Sequence, residues 1–238
     1  MPGWKPSKSN PVSGDRHSVA ETATVLTDAD EIARREAENG IRQFNLALEI
    51  IRVHVKDGER PFRLRSSVIL RLHKAALDGL HPLAGTWRNT PVKIGGSGHQ
   101  PPEEAFVSEE VELMCDYIND HWNDMSAVHL CAYVLWKLNW IHPFSDGNGR
   151  TARAVAYVVL SIKLDSLLPG APTIPEQIAG DKTPYYSALE SADLGLKSGR
   201  VDVSNLENML EGMLAKQLLS AAREASGGTG SGGEKTFH

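Results

Sequence analysis

Two apolar helical runs separated by a short polar loop constrain this chain more than any other feature. Along residues 126–141, Ala127, Leu130, Val134, Leu138 and Ile141 recur at helical spacing, and Cys131, Leu135 and Trp136 widen the apolar face. The run from Arg150 onward, RTARAVAYVVLSIKL, is helix-compatible and nearly all apolar. Helices that are apolar round most of their circumference have to be buried, so the loop between them is gripped by two core elements. A mainly α architecture built around this pair follows.

The remaining segments read as further layers on that pair. An N-cap at Thr27 and Asp28 precedes Ile32, Phe44, Leu48 and Ile51, which supply apolar points for one or two helices ending near Asp57 and Gly58. Val68, Leu72 and Ala75 share a stripe within 65–80, and Val111, Met114 and Ile118 share one within 108–122 after an acidic start. Two more helices fit 183–194 and 204–222. Residues 83–102 differ: Trp87, Thr90, Val92 and Ile94 favour strands, and Gly95, Gly96, Ser97 and Gly98 suit a turn between them, so a small β-hairpin is expected. Residues 1–25, rich in Pro, Ser, Gly and charge, read as a flexible arm, 26–225 as a single domain and 226–238 as a flexible Gly/Ser tail.

Composition narrows the class. At 238 residues the chain is long enough for one sizeable core, and its net charge of −5 argues against a nucleic-acid partner. The longest apolar stretch, around 154–160, is too short for a membrane span and the N-terminus has no apolar signal core, so a cytoplasmic protein is expected. Cys115 and Cys131 lie on separate predicted helices without metal-ligand spacing and read as reduced core residues. Trp136 and Trp140 read as core, Tyr185 and Tyr186 as packing groups. His54, His73, His81, His99, His121 and His129 show no metal-ligand spacing and receive no role.

The loop itself, HPFSDGNGRTAR at 142–153, has the chemistry of a phosphate site. Gly147, Asn148 and Gly149 tolerate positive φ, so successive N–H groups can converge on one anion, and the start of the following helix points amides and dipole at the same place. Arg150 and Arg153 share a helix face and can bind outer phosphate oxygens. A carboxylate beside polyphosphate calls for a cation between them, which makes Asp146 a candidate Mg²⁺ ligand. His142 can take a proton near neutral pH and so activate a hydroxyl.

At these residues the chain resembles the Fic domain proteins, whose signature is His-Pro-Phe-x-Asp/Glu-Gly-Asn-Gly-Arg-x-x-Arg; every fixed position matches. The resemblance implies a helical Fic-type domain with a β-hairpin flap, and transfer of AMP from ATP to a Ser, Thr or Tyr hydroxyl of a target protein. It implies His142 as general base, Asp146 as Mg²⁺ ligand, Gly147, Asn148 and Gly149 as α-phosphate anion hole, and Arg150 and Arg153 on the β- and γ-phosphates, with Phe144 a buried anchor. The related Doc kinases carry Lys and Ala in the glycine loop; here Gly147 and Arg150 are intact, which favours nucleotidyl transfer. Segment 83–102, with its Trp87-Arg88 pair, occupies the relative place of the family's flap, and Val92 and Ile94 would hold a target segment by strand addition.

Many family members also carry an inhibitory helix of pattern Ser/Thr-x-x-x-Glu-Gly/Asn, whose Glu pairs with the second motif arginine. Glu38-Asn39 matches its end, although Arg34 stands where Ser or Thr is expected, so a Glu38–Arg153 pair is the corresponding expectation. Other readings stay open at this level: a nucleotide-binding interaction module without transfer, use of UTP, GTP or a phosphocholine donor, or removal of AMP. A homo-oligomer or an inhibitory partner chain is compatible with all of them.

Overall fold

The computed structural model describes residues 28–57, 61–95 and 97–227. The arm expected at 1–25, Thr27 of the expected N-cap, and all of the expected tail but its first two residues lie outside them. The order is α1 (Ala29–Asp57), α2 (Ser66–Leu77), a 3-10 turn (Glu104–Phe106), α3 (Val107–Asp120), α4 (Ala127–Ile141), α5 (Asn148–Lys163), α6 (Ile174–Gly180), α7 (Thr183–Lys197) and α8 (Ser204–Gly227). No described helix is long and apolar enough to cross a membrane.

The two apolar runs form the centre, as the pattern requires. α4 and α5 pack on each other more extensively than any other pair, with α1 and α2 against α5, α3 and α8 against α4, and α7 against α8. Leu130, Val134, Leu135, Leu138 and Ile141 from α4 and Val155, Val158, Val159 and Leu160 from α5 are fully buried. Cys115 and Cys131 are buried free thiols, and burial pushes both up to about 12. α4 starts where Ser126 accepts from the His129 N–H, and α1 where Asp28 accepts from the Glu31 N–H. α1 is one continuous helix.

Two features differ from the sequence reading. α6 was not expected, yet its start is a capping box in which Thr173 and Glu176 bond reciprocally, with a proline in the first turn. The expected hairpin is not formed, for no described residue of 83–102 is in a strand. Side chains hold this segment instead. Arg88, buried at 2% exposure, donates to the carbonyls of His142 (2.8 Å), Thr90 (3.2 Å) and Pro102 (2.5 Å), while the Arg88 N–H donates to the Pro143 carbonyl (2.9 Å). His99 Nε2 donates to the Trp140 carbonyl (2.7 Å). An isolated two-stranded ladder has little stability of its own, and bonds to the end of α4 replace it.

Candidate active site

α4 delivers His142 by breaking at it. His142 has φ 49° and ψ 58°, with its N–H still bonded to Leu138 O at 3.1 Å, so the chain leaves the helix through a left-handed residue that is not glycine. Such a conformation persists only when its surroundings fix it. Arg88 supplies the restraint by holding the His142 carbonyl. The ring is fixed as well: Nδ1 donates to the Asn139 carbonyl at 3.3 Å, which leaves the Nε2 lone pair available. Burial lowers the His142 pKa from its ordinary value, the Asn139 bond acts the other way, and the positive Arg88 lowers it further. A neutral imidazole with one free lone pair is a base ready for use at neutral pH.

The loop after it is folded round Phe144. That ring is fully buried, stacks on His73 (3.6 Å between centroids, 9° between planes) and leans on Trp87 at 5.1 Å. Asn148 closes the loop: its Oδ1 accepts from the Phe144 N–H (2.9 Å) and its Nδ2 donates to the Phe144 carbonyl (2.8 Å). The Asn148 side chain is therefore a brace turned inward. Gly147 has φ 76°, and a Cβ there would stand 2.5 Å from Leu77 Cδ2, so both conformation and space demand glycine. The first intrahelical bond of α5 runs from the Thr151 N–H to Gly147 O, which leaves the amides of Asn148, Gly149 and Arg150 without backbone acceptors at the positive end of a buried helix.

The two arginines have different surroundings. Arg150 donates to Glu36 Oε1 and to Asp146 Oδ2, each at 3.2 Å. Asp146 Oδ1 in turn accepts from the Gly147 N–H at 2.6 Å. Arg153 is half-buried and no described carboxylate lies within ion-pair distance of it; burial lowers its pKa, while Tyr185 and Tyr186 act the other way. An unmatched, partly desolvated guanidinium is a strong receptor for an anion. The expected Glu38–Arg153 pair is not formed. Glu38 pairs with Arg35 at 3.5 Å, and the α1 carboxylate that reaches the motif is Glu36. Asn39 and Gln43 decide this, since they are buried on α1 and donate to the Asp78 and Leu72 carbonyls. Glu36 stands near their face, one turn back, whereas Glu38 is turned about 100° from Asn39.

His142, Gly149 and Arg153 line one cleft of about 250 Å³, together with Ile94 and Tyr186. Trp136 and Tyr185 form its apolar side and are both nearly inaccessible; Trp136 Nε1 donates to Asp193 (2.8 Å) and Tyr185 OH accepts from Asn139 (2.7 Å). Trp140 carries Lys137 Nζ 3.8 Å over its ring. The structure thus brings His142, Arg153 and the start of α5 into one cleft that Ile94, Gly95, Ser97 and His99 also line. Asp146 and Arg150 sit beside it, and Val92 is not part of its wall. Among the described residues no group of three His, Cys, Asp or Glu side chains forms a metal cage. The sequence marks neither His73 nor Glu36, because neither stands in the motif and only the packing of α1 and α2 on α5 brings them to it.

Known proteins share this fold. The chain is 28% identical over 188 residues to a protein adenylyltransferase (fic-1) of Caenorhabditis briggsae, a match covering 77% of this chain and 35% of the relative. It spans about a third of the length of the curated relatives it matches. Its fold is similar to a Fic domain-containing signaling protein of Bacteroides thetaiotaomicron (TM-score 0.63, 23% identity, covering 79% of this chain and 73% of the other). It is also similar to Fic-1 of Caenorhabditis elegans (TM-score 0.61, 22% identity, covering 80% and 52%). Residues 63–160, which hold the whole loop, α4 and all but the last turn of α5, match the Fic/DOC family.

Proposed function

We propose that the cleft binds a nucleoside triphosphate, ATP in the first instance, and transfers its nucleotidyl group to a hydroxyl of a protein target. The observation that carries this reading is the shared cavity of His142, Gly149 and the unpaired Arg153. His142 Nε2 takes the proton of the incoming Ser, Thr or Tyr hydroxyl as its oxygen bonds to the α-phosphorus; the bond to the β-phosphate bridge breaks and pyrophosphate leaves. The N-terminal amides of α5 receive the α-phosphate oxygens, and Arg150 and Arg153 the outer phosphates. Asp146 would hold Mg²⁺ beside the phosphates, and the ion would supply neutralisation of their charge there. The backbone N–H groups of Val92 and Ile94 make no hydrogen bond among the described residues, so this stretch is an edge for a target segment.

Regulation belongs to the same site. Glu36 competes with phosphate for Arg150, so α1 acts as a brake through Glu36, with Glu38 outside the contact. The test is incubation with α-labelled ATP and Mg²⁺, with and without cell lysate, for the parent and His142→Ala. Label on protein with the parent alone, while both bind ATP, is the expected result. Binding without label in the parent, for every nucleoside triphosphate and with Glu36→Gln as well, would replace transfer by a nucleotide-binding interaction module.

A further inference from the structure

His73 lies outside the motif and is buried on α2 at 2% exposure. Its Nδ1 accepts from the Gly85 N–H at 2.9 Å, so the ring proton sits on Nε2, which donates to the Asp146 carbonyl at 3.1 Å. The ring face covers Phe144, and its Cδ2 stands 3.4 Å from where a Cβ on Gly147 would be. One imidazole thus links α2, Gly85 at the start of the 83–102 segment and the motif loop. Two backbone groups of opposite polarity fix its tautomer.

The bond to Asp146 has a directional consequence. In a trans peptide the carbonyl and the next N–H point in opposite directions, and the only cis bond among the described residues is Ala171–Pro172. Holding the Asp146 carbonyl inward therefore turns the Gly147 N–H outward, to the side where the exposed Asp146 carboxylate now accepts from it. The peptide could otherwise rotate, because Gly147 has no Cβ to limit it.

We infer that His73 is a positioning residue that aims the Gly147 amide at the anion site by holding the Asp146 carbonyl. This rests on the reading of the loop as a phosphate-binding nest. His73 does not touch the nucleotide; it sets the direction of the donor that does. A misdirected donor is felt most where charge builds up on the phosphate oxygens, so the loss falls on turnover more than on ATP affinity.

The experiment compares the parent with His73→Phe, which keeps the stack on Phe144 but loses both polar contacts, and His73→Gln, which restores a donor toward Asp146 O. Fold is checked by near-UV circular dichroism. Expected for His73→Phe is a drop in kcat of about tenfold or more, with KM for ATP within about twofold, and substantial recovery in His73→Gln. Replacing ATP by its α-thio analogue, whose sulfur is a weak acceptor, should slow the parent more than His73→Phe; a merely structural role would slow both alike. A readout independent of turnover is the Gly147 amide resonance in ¹⁵N-labelled protein titrated with ATP. A shift in the parent that is lost in His73→Phe and returns in His73→Gln supports the inference. The same shift in all three overturns it and leaves the nest reading intact, whereas no shift in the parent overturns both.

Discussion

Arg88 offers the sharpest test of how the site is held, because one side chain holds His142 together with Thr90 and Pro102. Arg88→Met keeps the length and apolar volume and removes three bonds, to the carbonyls of His142, Thr90 and Pro102, while Ile141 O at 3.5 Å is a marginal fourth. The His142 and Ile141 carbonyls end α4 and have no intrahelical partner. At roughly 1 kcal/mol net per bond, with somewhat less for a cation at a helix C-terminus, the loss is about 3–4 kcal/mol. For a chain of this size that corresponds to a fall in Tm of roughly 6–15 °C. A second effect has a definite sign. Arg88 lowers the His142 pKa, so its removal raises it, fewer bases are neutral at a given pH, and the acid limb of kcat moves to higher pH. Arg88→Lys keeps the charge but not the fork, so it should lose stability and leave the limb nearly in place. Calorimetry and a pH–rate profile on the three proteins read both effects. A Tm within about 2 °C of the parent together with an unmoved limb in Arg88→Met would refute the reasoning.

Three further outcomes follow. Asn148→Ala strands the buried N–H and C=O of Phe144 and should cost about 2–4 kcal/mol in urea unfolding, with faster exchange at the Phe144 amide; unchanged exchange would remove Asn148's role as a brace. Burial lowers His73 to about 4, so the unfolded chain binds the extra proton between its ordinary value near 6.5 and that figure, and stability falls with acidity across this window by about 3 kcal/mol in total. Urea midpoints at pH 7 and pH 4.5 should differ less in His73→Gln than in the parent, and equal differences would contradict the assignment. Glu36→Gln should raise ATP affinity or transfer by roughly 2–5-fold, the range of a half-exposed ion pair, with Glu38→Gln unchanged; the reverse pattern in calorimetric titration would restore Glu38 as the brake.

The helices were legible because burial imprints a period on the chain, and α4 and α5, apolar on nearly every side, left little freedom. His142, Gly149 and Arg153, which share one cleft, were legible as one group because they stand close together in sequence. What the sequence concealed is set by long-range partners. His73 meets a carbonyl 73 residues away, and a single imidazole on a helix carries no mark of that. Whether Glu36 or Glu38 faces the motif depends on where Asn39 and Gln43 find acceptors, which lie in α2 and just after it. The β-propensity of Trp87, Val92 and Ile94 was real, but propensity does not decide whether a strand finds a neighbour. The capping box of α6 does stand in the sequence, as Thr173 and Glu176 three residues apart.

A loop tied down at its two ends by side chains has a different evolutionary freedom from a hairpin. In a ladder every residue carries register, so an insertion of one displaces all that follow. Among the described residues between Arg88 and His99 no such register exists, and the anchors grip carbonyls that belong to Pro102 and the end of α4, groups every residue type supplies. The stretch from 90 to 95 can change in length and chemistry while its ends stay fixed over the cleft. This makes it an exchangeable cassette, in which a few residues can be grafted without disturbing the loop at 142–153.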